Sequence, residues 1–491
     1  MRRVLIGLAA AAFAAVAAFV IALAGGLLDT ATTAARFSAI RSDHTALRAF
    51  LQRMPKGADL HVHLSGAVYA EDLIAWAAEH GQCVRLPDVF FVPPPCAPGT
   101  APSVAEAIRS QPVYDDIVNA LSIRFFVPSA NTPSGHDQFF DSFAKYGVVT
   151  ALVPAEMTAT LLRRYAAQSV QHTELMLSFL GAKDRVELAA AIRDRKDFTE
   201  RLAILNEKGL DNLVAQMRPQ IADIAKQVRT LLGCDADQTR PGCGVSYRLI
   251  AQVVRTYDEA QVFVQTAFAA ALVRAEPLVA GLNFVGPEDN RVARMDYARH
   301  MEMIGFLAKD VPVALHAGEL WGGLVPPDDL SFHIRDAIEV AGARRIGHGV
   351  ALAYERRSNE LLETMRRKPV AVEINLTSND VILGVRGKDH PLMAYWVARV
   401  PVTLSTDDAG VARIDLTNEY VRAARDYPFG YRELRKIARA SIEHSFLGPA
   451  EKTGQMNKFE QVSAEFERSV VSERGLLRNI GTLIAGLFRW P

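Results

Sequence analysis

The chain has 491 residues, 49% of them hydrophobic, with 55 basic and 55 acidic side chains and a formal net charge of zero. Balanced charge excludes nucleic acid as a main partner, because phosphate binding needs a concentrated basic face. The length allows one large decorated α/β barrel or two to three ordinary domains, and the apolar share is ample for a large core.

Residues 1–24, MRRVLIGLAAAAFAAVAAFVIALA, place two arginines ahead of an uncharged Ala-rich run ending in a small-x-small pattern at Ala22-Leu23-Ala24. This reads as an export signal, or as an uncleaved anchor given the length of the apolar run. Either reading predicts an extracytoplasmic location, periplasmic or secreted, with membrane association through this segment in the anchored case. Residues 25–53 read as an N-terminal helical extension. The four cysteines fall into two local pairs, Cys83 with Cys96 and Cys234 with Cys243, neither in a C-x-x-C spacing. Each pair closes a short loop, and disulfides are expected in an oxidising space.

From residue 54, short apolar runs recur, each followed by a helical stretch. Strands are predicted at 58–64, 169–179, 246–256, 277–286, 311–319, 344–349, 369–376 and 400–408. The later runs are apolar throughout, as in parallel strands buried on both faces. Their spacing of about 30 residues fits one strand, one helix and two loops. Eight such units predict a (β/α)₈ TIM barrel over 54–460, with insertions after strands one and two. The first insertion, 84–135, is Pro-rich and carries the first cysteine pair; residues 184–232 read as long outer helices. The tail, 461–491, contains a basic amphipathic helix at 474–490 that either packs on the barrel or touches membrane.

Chemistry in such barrels sits at the C-terminal strand ends. His61 and His63 end strand one in ADLHVHL, and residues i and i+2 of a strand share a face. His316 and Glu319 end strand five, His348 strand six, and Asp407 and Asp408 strand eight. Singly each has a plain structural explanation: Glu319 caps a helix, Asp408 is an N-cap, His348 is a turn residue. Seven such groups at one rim are not explained that way. Three imidazoles and a carboxylate suit zinc or a similar divalent ion, which lowers the pKa of a bound water to about 7 and so makes a nucleophile at neutral pH. The remaining acids and His348 are then free for proton transfer and orientation.

Four segments, MPKGADLHVHLSGA, LHAGE, RIGHG and LSTDDAGV, in this order and roughly this spacing, resemble the adenosine deaminase family of the metal-dependent amidohydrolases. The MPKG opening, the leader and the Cys-containing insertion look most like its secreted, growth-factor-type branch. The resemblance covers about residues 50–450 and implies one zinc per chain and hydrolytic deamination of adenosine or 2′-deoxyadenosine at purine C6, giving inosine and ammonia. By position it implies His61, His63, His316 and Asp407 as zinc ligands. It further implies His348 as the residue that orients or deprotonates the attacking water, Glu319 as the acid at ring N1, Asp408 as the group at N7, and Gly286 as a backbone donor to N3.

The chain departs from the family pattern at Ser65, where an acidic residue that contacts ribose is frequent. It also has Asn283 in place of a frequent aspartate and Ala409 in place of a frequent proline. Ser65 therefore leaves adenine or another 6-aminopurine as alternative substrates. No lysine ends strand four in GLNFVGPEDN, which favours one metal over two. The partner expected is a small purine nucleoside; an inactive secreted binding protein on the same fold is the remaining alternative, against which the intact rim speaks. A helix at HDQFFDSF places His136, Phe139 and Phe140 either on the pocket, where aromatic faces hold a purine, or in ordinary packing. His44, His80, His172, His300, His333, His390 and His444 are read as structural or surface residues.

Overall fold

The computed structural model describes residues 26–487 except 98 and 131, and from 474 onward only the helical backbone is described. The leader, 1–24, lies outside the described residues. No helix among them is long and apolar enough to cross a membrane.

All eight expected strands form. They are β1 (Gly57–His63), then, after a two-stranded hairpin of β2 (Cys83–Arg85) and β3 (Phe90–Val92), β4 (Val170–Leu177), β5 (Ser246–Val254), β6 (Val279–Val285), β7 (Ala314–Ala317), β8 (Arg345–His348), β9 (Ala371–Ile374) and β10 (Val402–Leu404). Two four-stranded parallel sheets result, β1-β4-β5-β6 and β10-β9-β8-β7. Parallel bridges join them at both seams, Leu282 to Val313 and Val62 to Asp407, so the eight strands form a ring. At the second seam the His63 amide donates to the Asp407 carbonyl (3.1 Å) and the Asp407 amide to that of His61 (2.9 Å), which places two strand tips side by side. Every residue of β1, β7, β8, β9 and β10 is buried, as expected of strands covered on both faces.

The N-terminal extension forms helices at 26–40 and His44–Arg53. The expected insertion at 84–135 carries the β2–β3 hairpin, which begins at Cys83, and short helices, and the segment between β1 and β4 continues past it into the helix Gly135–Thr150. That last helix is set by Ser134, whose hydroxyl accepts the Asp137 amide at 3.2 Å and so satisfies one of the free N–H groups of the first turn. The second insertion forms Ala182–Ile192, Phe198–Glu207 and Leu210–Leu232. Both cysteine pairs are bonded, Cys83–Cys96 and Cys234–Cys243. A single helix, Pro449–Leu487, runs through the expected tail boundary at 460. Its Phe459, Phe466 and Val470 are buried in the core, so the tail begins as part of the barrel wall.

Candidate active site

The structure brings His61, His63, His316 and Asp407 together, with one ligand-type atom from each lying within 4.8 Å of the others. Each imidazole gives its Nδ1–H to an oxygen behind it. His61 donates to Glu373 Oε2 (2.6 Å), His63 to Gln252 Oε1 (3.1 Å), and His316 to Asn283 Oδ1 (2.9 Å). With hydrogen on Nδ1, the Nε2 lone pairs are bare, and they face one another. Nε2 of His316 lies 3.0 Å from that of His61 and 3.1 Å from that of His63. Asp407 Oδ1 lies 3.4 and 3.3 Å from the same two Nε2 atoms and has no hydrogen-bond donor. With the rings neutral, three lone pairs and a carboxylate oxygen converge and fit a divalent cation, which displaces the proton that His61 otherwise takes up, and the N₃O donor set suits zinc.

Local sequence explains the close approach. A Cβ on Gly347 would lie 2.5 Å from the His61 ring, and one on Gly66 would lie 1.8 Å from Asp408 Oδ1. Glycine at these two positions makes room for the ligand and for the acid. His348 and Asp407 both hold left-handed backbones, φ 69° and 59°, which costs non-glycine residues energy and marks functional strand ends.

The charge of Glu373 is itself held. Arg345 binds Glu373 through Nε and Glu174 at 2.6 Å through Nη2, all three being fully buried. Burial pulls the His61 ring down, but its contacts with Asp407 and Glu373 outweigh that and raise its pKa to about 10. Burial lowers His63 to about 4 and His348 to about 3. Asp407 is driven up by burial, but His61 and the neighbouring imidazoles more than offset this and hold it below the usual carboxylate range. Burial, with the Asp407 charge beside it, pushes Glu319 well above that range. The same two causes raise Asp408. Burial therefore favours the neutral form of Glu319, the form able to donate a proton.

His348 sits at the edge of the cluster, with Nε2 3.9 Å from Asp407 Oδ2. Its Nδ1 accepts from Asn379 Nδ2 (2.8 Å). Asn379 in turn accepts from His390 Nε2 at 3.0 Å, and His390 Nδ1 accepts the Leu392 amide. This chain leaves the hydrogen of neutral His348 on Nε2, facing the cluster. His390, read from sequence as structural, therefore orients a site residue through Asn379. Ser378 donates to Asp407 Oδ2 at 2.7 Å.

A cavity of about 320 Å³ opens on this floor, lined by His63, Ser65, Gly286, Glu319 and Asp408 among others. Phe139, Phe140 and Phe143 roof it. His136 stands outside the lining, beside Phe140, and donates from Nε2 to Asp289 Oδ1 at 3.0 Å, joining the helix Gly135–Thr150 to the loop after β6; of the expected pocket group, the two phenylalanines line it and the histidine does not. A wider groove of about 670 Å³ beside Arg53, Arg240 and Lys458 lies at the opposite end of the barrel and brings no such cluster together.

All seven rim residues thus meet at one mouth. Reading the sequence misses Glu373, Gln252, Ser378, Asn379 and His390. The available signal was a polar residue inside an apolar strand, Glu373 in AVEIN and Gln252 in IAQVV. Asn283 was noted only as a departure, and the structure makes it the acceptor for His316.

A ring of eight parallel strands with this donor set at its C-terminal mouth defines a metal-dependent hydrolase of the amidohydrolase type. The family model described as adenosine deaminase matches residues 215–462. Over 290 residues the chain is 30% identical to an adenine deaminase of Rhizobium johnstonii, an alignment covering 55% of this chain and 81% of the relative. Over 320 residues it is 28% identical to an adenosine deaminase of Salmonella typhi, covering 62% and 89%. Among solved structures, an amidohydrolase from Burkholderia ambifaria with bound Zn matches with a TM-score of 0.52 at 15% identity, covering 87% of this chain and 95% of that one. The chain belongs to the adenosine deaminase family, and it is a hydrolase acting on C–N bonds of adenosine- or adenine-like compounds.

Proposed function

We propose that the protein hydrolyses the 6-amino group of adenosine or 2′-deoxyadenosine, releasing inosine or 2′-deoxyinosine and ammonia, with one zinc held by His61, His63, His316 and Asp407. The observation that carries this reading is the convergence of three Nε2 atoms and Asp407 in one buried cluster, with Glu319 on the lining of the cavity that opens beside it. When bound, zinc supplies the positive charge that brings water to a pKa of about 7. The chain's own groups do the rest. His348 directs its Nε2–H at the attacking oxygen. Attack at C6 pushes electrons onto N1, and Glu319 supplies the proton there. Asp408 meets N7, the Gly286 amide meets N3, and the three phenylalanines stack on the purine and exclude water.

No lysine or arginine lines the cavity among the described residues, which supports an uncharged base or nucleoside over a nucleotide. Ser65, part-exposed on the lining, offers a hydroxyl and no carboxylate to a sugar. That favours adenine as the second reading, and the relative named adenine deaminase agrees with it. Incubating purified protein with adenosine, 2′-deoxyadenosine, adenine and AMP, and following ultraviolet absorbance with ammonia release, decides among them. Turnover of AMP alone, or of none of the four, would reject the proposal.

The leader-like sequence of residues 1–24 and the two disulfides support an extracytoplasmic location, with the leader as anchor if it is retained. Cell fractionation of the native producer, with non-reducing peptide mapping, tests this; a reduced cytosolic protein would reject it.

A further inference from the structure

We propose that Glu288, braced by Arg255, is a positioning residue that sets the turn carrying the acid Glu319, acting entirely through main-chain contacts. This rests on the deaminase reading above, in which Glu319 protonates the substrate.

Glu288 follows the tip of β6 and is 1% exposed. Its oxygens are divided between two consecutive amides of the neighbouring turn. Oε1 accepts Gly318 N–H at 3.0 Å, and Oε2 accepts Glu319 N–H at 2.7 Å. Oε1 also accepts from His333 Nδ1 at 2.5 Å. His333 is itself clamped: its ring stacks on Tyr297, with centroids 3.7 Å apart and planes 10° apart, and its carbonyl accepts the Tyr297 hydroxyl at 2.7 Å. Arg255, also 1% exposed, works on the other side of the same turn. Its Nε donates to the Gly286 carbonyl and its Nη1 to the His316 carbonyl, both at 2.9 Å. Nη1 lies 4.0 Å from Glu288 Oε2.

One buried ion pair therefore grips the backbone at Gly286, His316, Gly318 and Glu319, three of which, Gly286, His316 and Glu319, the proposed reaction uses. A carboxylate is required for this grip, because two adjacent N–H donors need two acceptors. Glutamine offers one acceptor and sets an N–H against the other donor. A neutral filler of equal volume would serve packing as well, so the chemistry of the residue points to alignment. Misplacing a catalytic group by about 1 Å costs up to ~10²-fold in rate.

The test is a double-mutant cycle on the zinc-loaded enzyme with its best substrate: Glu288→Gln, Glu319→Gln and both together. Glu288→Gln is expected to keep about one zinc per chain and a cooperative thermal transition, to lower kcat ~10-fold or more, and to change KM less than about threefold. In the Glu319→Gln background the same substitution is expected to cost less than about twofold, because the group it positions no longer delivers a proton. Losses that multiply in the double variant, or a loss confined to KM, would overturn the brace. If Glu288→Gln fails to fold, His333→Gln, which removes the Nδ1–H clamp, decides in the same cycle: a kcat loss that vanishes beside Glu319→Gln supports the brace, and one that multiplies, or no loss, rejects it. Glu319→Gln alone, if it retained activity within a few-fold, would reject the acid role itself, which is a distinct failure.

Discussion

On the pocket floor each imidazole ligand projects from a strand tip and is locked by a second side chain from another strand: Glu373 behind His61, Gln252 behind His63, Asn283 behind His316. The roof is the helix Gly135–Thr150, presenting three phenylalanines and joined to the loop after β6 by His136 and Asp289. The floor is thus tied strand to strand, whereas the roof helix is held by apolar contact, by Gln138 donating to the carbonyls of Asn119 and Ser122 at 2.9 Å, and by one partly exposed pair to the loop after β6. A metal and an acid need fixed geometry, whereas substrates of differing size need a cover that can adjust. Substitutions on the two surfaces should accordingly differ in kind, with collapse of chemistry below and modest shifts in KM above.

The largest effect belongs to the ligands. His63→Ala should release the metal and abolish turnover, measured as zinc per chain against activity; retention of the ion would remove His63 from the ligand set. Asp407→Asn should lower metal content and activity together. Glu319→Gln separates acid from ligand. Zinc and folding should persist while kcat falls by ~10²- to 10⁴-fold, the usual loss for a positioned general acid. Activity within a few-fold of the parent would return Glu319 to a capping role.

Acidification should break the floor by a different route. Protons and metal compete for the same Nε2 lone pairs, and against the pull of burial Asp407 first and then Glu373 make the His61 ring basic, raising its pKa to about 10. Metal occupancy should therefore fall as pH is lowered, and Glu373→Gln, which weakens that basicity and with it the competition from protons, should make occupancy less dependent on pH. Equal pH dependence in the two proteins would show that Glu373 does not tune the ligand.

The floor was legible in the sequence because its residues are ionisable groups ending apolar runs, a combination that packing alone does not produce. His61, His316, His348 and Asp407 could be placed from strand period and position. The eight strands were legible for the same reason, although the first is shifted by one residue and the other seven were read two or more residues too long, since the loops that complete the rim stay buried. The partners behind the ligands were not legible. Glu373, Gln252, Asn379 and Glu288 act on residues that are distant in sequence, and only the ring closure brings them within reach. The helix Gly135–Thr150 was legible as a helix, with the pocket and ordinary packing both open for its phenylalanines, because an amphipathic pattern specifies a buried face without specifying what it covers.

The smallest effect concerns that roof. Burial pulls the His136 ring down, but the hydrogen bonds and charges of Asp289 and then Asp137 outweigh this and leave its pKa above the ordinary histidine value. A raised folded value means the tie is fully present below the ordinary pKa and is lost as pH rises through the folded one. Partly exposed pairs of this kind contribute ~0.2–1 kcal/mol, which limits the effect on KM to about fivefold. Removing the tie by His136→Ala should raise KM within that limit at mildly acidic pH, leave kcat and zinc content nearly unchanged, and converge on the parent as pH rises. Measured KM profiles that stay parallel through the alkaline range would show that the pair does not hold the roof. A fall in kcat comparable to that of Glu319→Gln would erase the distinction between roof and floor, because it would place His136 among the groups that touch the reacting atoms.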